Sequence, residues 1–321
     1  MRAKLPALTM GEPAGIGPEI AVSAWRAGRR FLFVGDASVL RGAPVREVGS
    51  AAEAGDDAIP VLRVPLAVPA VPGRLDAANA SAVIASIETA VRLAMAGDVS
   101  AIVTNPIQKS VLTRAGFTHP GHTEFLAQLT GAAMPVMMLA SAELRVVPIT
   151  IHVALRRAIG MLDAQLILRT ARITEAALRR DWGMARPRLA FAGLNPHAGE
   201  DGTMGDEEVR IIRPAIATLR AEGIEALGPF PADTMFTPAA RRGYDVALGM
   251  YHDQVLTPIK TLDIHGGVNV TLGLPIVRTS PDHGTALDIA GQGLADPGSV
   301  VAALDLAMDL VRRREAGKIG A

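Results

Sequence analysis

Three histidines stand where short apolar runs end. His152 closes the run Val146–Ile151, His197 lies just past Leu189–Gly193, and His252 lies just past Val246–Met250. Imidazole is a borderline ligand suited to zinc, cobalt, nickel or iron. The chain has no cysteine, so any bound metal must use His, Asp or Glu. The spacings of 45 and 55 residues match no compact zinc motif. The residues alone therefore leave two readings open, a metal set and three partly buried structural histidines. Of the other histidines, His119 and His265 are expected at the surface. His283, in Ser280-Pro281-Asp282-His283-Gly284, has no partner that the sequence identifies.

Anion chemistry is the second theme. Lys260, Asn269 and Arg278 are spaced along Thr257–Thr279. A point charge, an amide and a bidentate fork together make a clamp for phosphate or carboxylate, although isolated basic residues also serve as solvated surface. Gly121-His122-Thr123-Glu124 precedes the apolar stretch Phe125–Leu129, which places Thr123 to cap a helix. Gly11-Glu12-Pro13-Ala14-Gly15-Ile16-Gly17-Pro18-Glu19 follows a strand and opens a helix. It reads equally as a phosphate cradle at a helix N-terminus or as a tight turn. It is not the dinucleotide fingerprint, because Ile20 stands where the third glycine belongs. The carboxylates of Glu200, Asp201 and Asp206–Glu208 are assigned no chemistry.

These residues need a scaffold that gathers them. Short apolar runs alternate with longer helical patterns, the signature of an α/β architecture. Strands are expected at Ala7–Met10, Phe31–Val34, Ala101–Thr104, Val146–His152, Leu189–Gly193, Val246–Met250 and Pro275–Arg278. Helices are expected at Pro18–Ala27, Ala80–Ala96, Leu166–Arg180, Asp206–Glu222 and Ser299–Ala316, with Ser299 placed to cap the last. The stretch Arg41–Asp76 has weak periodicity and reads as irregular edge structure. In a parallel sheet the carboxyl ends of the strands share one edge, so Thr104-Asn105, His152, Asn195–His197 and Tyr251–Asp253 converge there.

Composition narrows the function. The 321 residues carry 32 Lys and Arg against 32 Asp and Glu, a formal charge of +0, with 3% aromatics. That balance argues against a general nucleic-acid or anionic-membrane binder. The absence of cysteine excludes thiolate catalysis and disulfide scaffolds and fits a reducing cytoplasm. The N-terminal run lacks a signal-peptide core, and Ala132–Ala142, interrupted by Pro135, is about half a membrane span.

Longer strings of residues identify a relative. The Gly11–Glu19 loop, Thr104-Asn105-Pro106, Gly121–Glu124, Gly193–Glu200, Pro231-Ala232-Asp233-Thr234, Tyr251-His252-Asp253-Gln254, Val268–Gly273 and Arg278–Ala286 resemble the 4-hydroxythreonine-4-phosphate dehydrogenase family of pyridoxal 5′-phosphate biosynthesis. The resemblance implies a fold like that of isocitrate and isopropylmalate dehydrogenases, with two α/β/α lobes and an active-site cleft between them. The lobes are expected at 1–118 with 284–321 and at 119–283.

The resemblance also implies roles. His152, His197 and His252 match metal ligands for zinc, magnesium or cobalt. His122, Thr123, Lys260, Asn269 and Arg278 match substrate contacts. Lys260, Asp233 and Asp253 are candidate catalytic groups, and a proton relay by Lys260 is conditional on its burial. NAD or NADP is the implied oxidant, a small phosphorylated hydroxy-amino acid the substrate, and a cytoplasmic homodimer with a shared site the assembly, one metal ligand coming from the partner subunit. No nucleic acid or membrane is implied. The expected reaction is oxidation of 4-phosphooxy-L-threonine to 2-amino-3-oxo-4-(phosphooxy)butanoate, which decarboxylates to 3-amino-2-oxopropyl phosphate. The alternatives are a dehydrogenase of the 4-phosphothreonate or 4-phosphoerythronate type, a metal-dependent phosphohydrolase, and a catalytically silent phosphometabolite-binding protein. The chain departs from the family pattern at Val255 and at Thr261–Gly266.

Overall fold

The computed structural model describes residues 4–119, 121–263 and 266–319. His265, expected at the surface, lies outside the described residues. The chain divides into two compact units, residues 1–135 with 274–312 and residues 136–273 with 313–321.

The first unit runs β1 (Ala7–Thr9), α1 (Gly17–Arg26), β2 (Leu32–Gly35), β3 (Val45–Val48), β4 (Ile59–Arg63), α2 (Ala80–Ala96), β5 (Ile102–Thr104), α3 (Lys109–Arg114) and α4 (His122–Thr130). The second contains β6 (Val136–Ala140), β7 (Arg145–Thr150), α5 (Leu155–Met161), α6 (Ala164–Trp182), β8 (Arg188–Ala192), α7 (Arg213–Ala221), β9 (Glu225–Phe230), α8 (Ala232–Met235), α9 (Pro238–Arg241), β10 (Val246–Tyr251), α10 (His252–Leu262) and β11 (Val268–Leu272). The chain then returns with β12 (Arg278–Pro281) and α11 (Gly298–Ile319).

In the first unit the strand order is β3-β4-β2-β1-β5-β12, all parallel. Its central strands are short runs buried on both faces, as a sheet covered by helices requires. Leu8, Phe33, Ile59, Ile87 and Ile102 form its solvent-free interior. In the second unit the order is β11-β6-β7-β10-β8-β9. The pairs β11–β6 and β6–β7 are antiparallel, and β7, β10, β8 and β9 run parallel. Leu139, Val146, Ala190, Ala247, Val255 and Ile259 pack in its core.

Local chemistry sets several boundaries. Pro18 occupies the first turn of α1, where no amide is needed, and Gly28 follows the helix at φ 85°. Asp163 caps α6 by accepting from the Leu166 amide at 2.7 Å. Other boundaries differ from the sequence reading. The stretch Arg41–Asp76 holds β3 and β4, hidden because β3 lies at the sheet edge with three of its four residues exposed. The strand expected at Pro275–Arg278 instead begins at Arg278. The helix expected to be capped by Ser299 starts one residue earlier, and the Ser299 hydroxyl accepts from the Asp282 amide. The helix over Asp206–Glu222 contains a π-turn at Glu208–Ile212 before α7. Among the described residues, no helix is long and apolar enough to cross a membrane.

Candidate active site

The second unit places the three strand-end histidines on neighbouring parallel strands. β10 pairs with β7 on one side and β8 on the other, so His252, His152 and His197 all follow strands that end on one edge. His152 sits two residues beyond β7 with φ 51°, a left-handed backbone that is unusual for a residue with a side chain. His252 opens α10 directly after β10. The two rings lie 5.6 Å apart between centroids. Around them Thr150, Leu155, Tyr251 and Asp253 help line a cavity of about 210 Å³.

His252 is oriented. Its Nδ1 lies 2.7 Å from Asp253 Oδ1, and a ring N–H donating there leaves Nε2 as the free lone pair. The bond is with the adjacent residue, and the Asp253 side chain is largely exposed.

His197 has a different setting. Residues His197, Ala198, Gly199, Glu200 and Asp201 have φ of 53°, 54°, 78°, 40° and 54°, five successive left-handed residues of which one is glycine. Such a turn is costly for residues with a Cβ. Glu208, fully buried, braces its entry. Its Oε1 accepts from the amides of Leu194 and Asn195, each at 2.7 Å, and its Oε2 accepts from Asn195 Nδ2 at 2.9 Å. Gln254 ties the strands beneath. Its Oε1 accepts from the Met250 amide and its Nε2 donates to the Gly193 carbonyl, both at 2.6 Å. Gly193 must be glycine, since a Cβ there would meet Ala198 Cα at 2.8 Å. Neither Glu208 nor Gln254 has a role legible in the sequence; the signal for each is a polar residue on an element whose apolar pattern buries that position.

Among the described residues, no group of three His, Asp or Glu side chains is gathered to hold a metal ion. His152 and His252 have the donor chemistry for such an ion: two imidazoles with ring centroids 5.6 Å apart, one of them oriented by a carboxylate. His197 does not join them in a group of three. Lys260 is exposed on α10. Asn269 is half-buried on β11, and Asp233 is exposed on α8.

The first unit holds Arg278, Thr104 and His122. Arg278, 3% exposed, opens β12, and its Nη2 donates to Thr104 Oγ1 at 2.6 Å, at the end of neighbouring β5. Burial lowers the guanidinium's pKa to about 10. His122 opens α4. The residue as a whole is partly exposed, but its Nε2 is enclosed and has no hydrogen-bond partner. Burial first, then the positive charges of Arg278 and Lys109, push the imidazole down to about 3, so it is neutral at physiological pH. Thr123 is not the cap. Gly121 precedes the helix, and Thr123 lies inside the first turn.

The Gly11–Glu19 segment turns out to be a packed turn. A Cβ on Gly11 would lie 2.6 Å from the Pro106 carbonyl, and Glu12 N donates to that same oxygen at 2.8 Å. Asn105 Nδ2 donates to the Thr9 and Gly17 carbonyls. Glu12, buried with its carboxyl raised by desolvation, accepts from the Ala14 amide. His119 is half-buried rather than fully at the surface, with its ring 5.1 Å from both Phe117 and Phe125.

The fold is similar to that of a β-decarboxylating dehydrogenase from Thermococcus kodakarensis, with a TM-score of 0.51 at 16% identity, covering 96% of this chain and 83% of that one. The chain belongs to the family described as pyridoxal phosphate biosynthetic protein PdxA, whose model matches residues 28–307. It is 56% identical to a 4-hydroxythreonine-4-phosphate dehydrogenase of Paracoccus denitrificans, over 96% of this chain and 98% of that protein. A crystal structure of the Klebsiella pneumoniae enzyme of the same name superposes with a TM-score of 0.90 at 42% identity, covering 96% and 98% of the two chains.

Proposed function

We propose that the chain oxidises the 3-hydroxyl of 4-phosphooxy-L-threonine to 2-amino-3-oxo-4-(phosphooxy)butanoate, which loses CO₂ to give 3-amino-2-oxopropyl phosphate. Beyond family membership, the observation that carries this reading is the His152–His252 pair at the ends of β7 and β10, with Asp253 orienting one ring.

Arg278 and His122 suit the phosphate. The first supplies a fixed fork and the second a neutral donor with an enclosed, unengaged nitrogen. Thr123, Lys260 and Asn269 are further substrate contacts. A divalent ion, zinc, magnesium or cobalt, held by His152 and His252 would polarise the hydroxyl and then the new carbonyl. Since no third ligand joins that pair among the described residues, we assign the third position to His197 of the partner subunit in a homodimer. Asp253 keeps His252 in the tautomer that offers Nε2, whereas exposed Asp233 has no assigned step.

NAD or NADP, when bound, would supply the oxidant for the C3–H hydride, with the hydroxyl proton passing to solvent. In the second step the C–CO₂ bond breaks and its electron pair moves onto the carbonyl oxygen. The enol so formed is then protonated at carbon. The composition suits a cytoplasmic enzyme. The test is NADH or NADPH absorbance on mixing enzyme, divalent metal, nicotinamide and 4-phosphooxy-L-threonine, with phosphate release followed in parallel. Reduced nicotinamide without phosphate release is expected. Phosphate release without reduction would replace this reading by a phosphohydrolase, and silence in both would leave a binding protein.

A further inference from the structure

Lys109 is the first residue of α3, five positions beyond Thr104, whose hydroxyl receives the Arg278 guanidinium. A Cβ built on Gly121 would lie 3.2 Å from Lys109 Nζ and 3.3 Å from its Cε. The ammonium therefore lies over the residue that precedes α4, and the next side chain along is His122 with its enclosed, unengaged Nε2. The Glu124 carboxylate is on the same side, 3.3 Å from that Cβ position, but among the described residues Lys109 forms no ion pair. Lys109, His122, Thr104 and Arg278 all belong to the first unit.

We propose that Lys109 is a further substrate-binding residue, a third contact that holds the phosphate group together with Arg278 and His122. The inference rests on the reading above, in which Arg278 and His122 face the phosphate. A phosphate monoester carries about −1.5 to −2 charge at neutral pH, and a neutral imidazole contributes a hydrogen bond but no charge. Arg278 alone leaves roughly half of that charge uncompensated. The compact ammonium of Lys109 supplies the remainder, and its flexible stem lets it follow the ligand. The enclosed Nε2 of His122 also gains a reason, since a buried polar atom is normally engaged.

The experiment compares Lys109→Met, Lys109→Arg and Arg278→Ala with the parent enzyme, on 4-phosphooxy-L-threonine and on unphosphorylated 4-hydroxythreonine. Protection of each protein by inorganic phosphate against thermal unfolding is measured alongside. Lys109→Met should lose about ten- to a hundredfold in kcat/KM for the phosphorylated substrate, mainly through KM, as expected for one charged hydrogen bond. The unphosphorylated substrate should be nearly indifferent, phosphate protection should weaken, and Lys109→Arg should recover most of the loss. If Arg278→Ala discriminates between the substrates but Lys109→Met does not, the inference about Lys109 is overturned and the phosphate site stands. If Arg278→Ala penalises both substrates equally, the phosphate site itself is wrong and Lys109 falls with it. Loss of thermal stability in Lys109→Met without ligand would make it a structural residue and also overturn the proposal.

Discussion

Replacing Glu208 by alanine should release the loop that carries His197, and the structure sets the scale of the effect. Four non-glycine residues of that loop, His197, Ala198, Glu200 and Asp201, have left-handed backbones. At roughly 1–2 kcal/mol each they cost about 4–8 kcal/mol. Glu208 opposes this with three hydrogen bonds to Leu194 and Asn195, made by a fully buried carboxylate. At about 1.5–3 kcal/mol per charged bond they contribute roughly 5–9 kcal/mol. The two sums nearly balance, so without Glu208 the left-handed turn is no longer the favoured local state. The loop can relax and return its amides to water, which limits the global cost to about 3–5 kcal/mol, the range for losing a buried network.

The melting temperature should fall by roughly 4–7 °C on that basis, at about 2.1 cal/mol/K of unfolding entropy per residue. Glu208→Gln keeps one carbonyl for the two amides and loses the charge, so it should lie between the alanine variant and the parent. The decisive assay is hydrogen exchange at residues 194–204. The amides of Leu194 and Asn195 should lose protection in Glu208→Ala, and zinc or cobalt affinity should drop while the His152–His252 pair is untouched. Unchanged protection of those two amides would refute the bracing role outright, whatever happens to the melting temperature.

Two further outcomes follow from the same geometry. If His197 completes the partner's metal site, mixing His197→Ala with His252→Ala and allowing subunit exchange should restore about a quarter of parental activity, because about half of re-formed dimers are mixed and each carries one intact site. Mixing His152→Ala with His252→Ala should restore nothing, since those two ligands share a chain; recovery there would dissolve the pairing. His122, held near 3 in the fold against an ordinary value near 6.5, makes stability depend on pH. Below 6.5 the unfolded chain binds the proton first, so stability is full above that pH and is lost as pH falls from 6.5 toward 3. Melting temperatures from pH 4 to 7 should show a shallower acid decline in His122→Asn, and identical slopes would mean that His122 is not enclosed in solution.

How much of this was legible in the residues depends on whether a position is decided locally. The strands β1, β2, β5, β7, β8 and β10 announce themselves, because a strand buried on both faces must be a continuous apolar run. From those runs alone the histidines could be placed on one edge, and the order β7-β10-β8 puts their strands side by side. What stayed hidden depends on partners far along the chain. β3 needs no apolar face at a sheet edge, and β11 gains its place only by pairing with β6. Glu208 reads as one more surface acid in Gly205-Asp206-Glu207-Glu208 until the fold folds it under residues 194–195, 13 and 14 positions upstream. Lys109 lies in a stretch to which the sequence assigns neither an element nor a role, and it gains one only when Gly121 comes beneath its ammonium. Even the histidine motif is only half local: the sequence says that three imidazoles follow three strands, but the left-handed turn that sets His197 apart from the other two is fixed by a buried carboxylate. The functional site is therefore most readable where the chain puts chemistry at the end of a strand. It is least readable where one side chain exists to hold another in an otherwise unfavourable conformation.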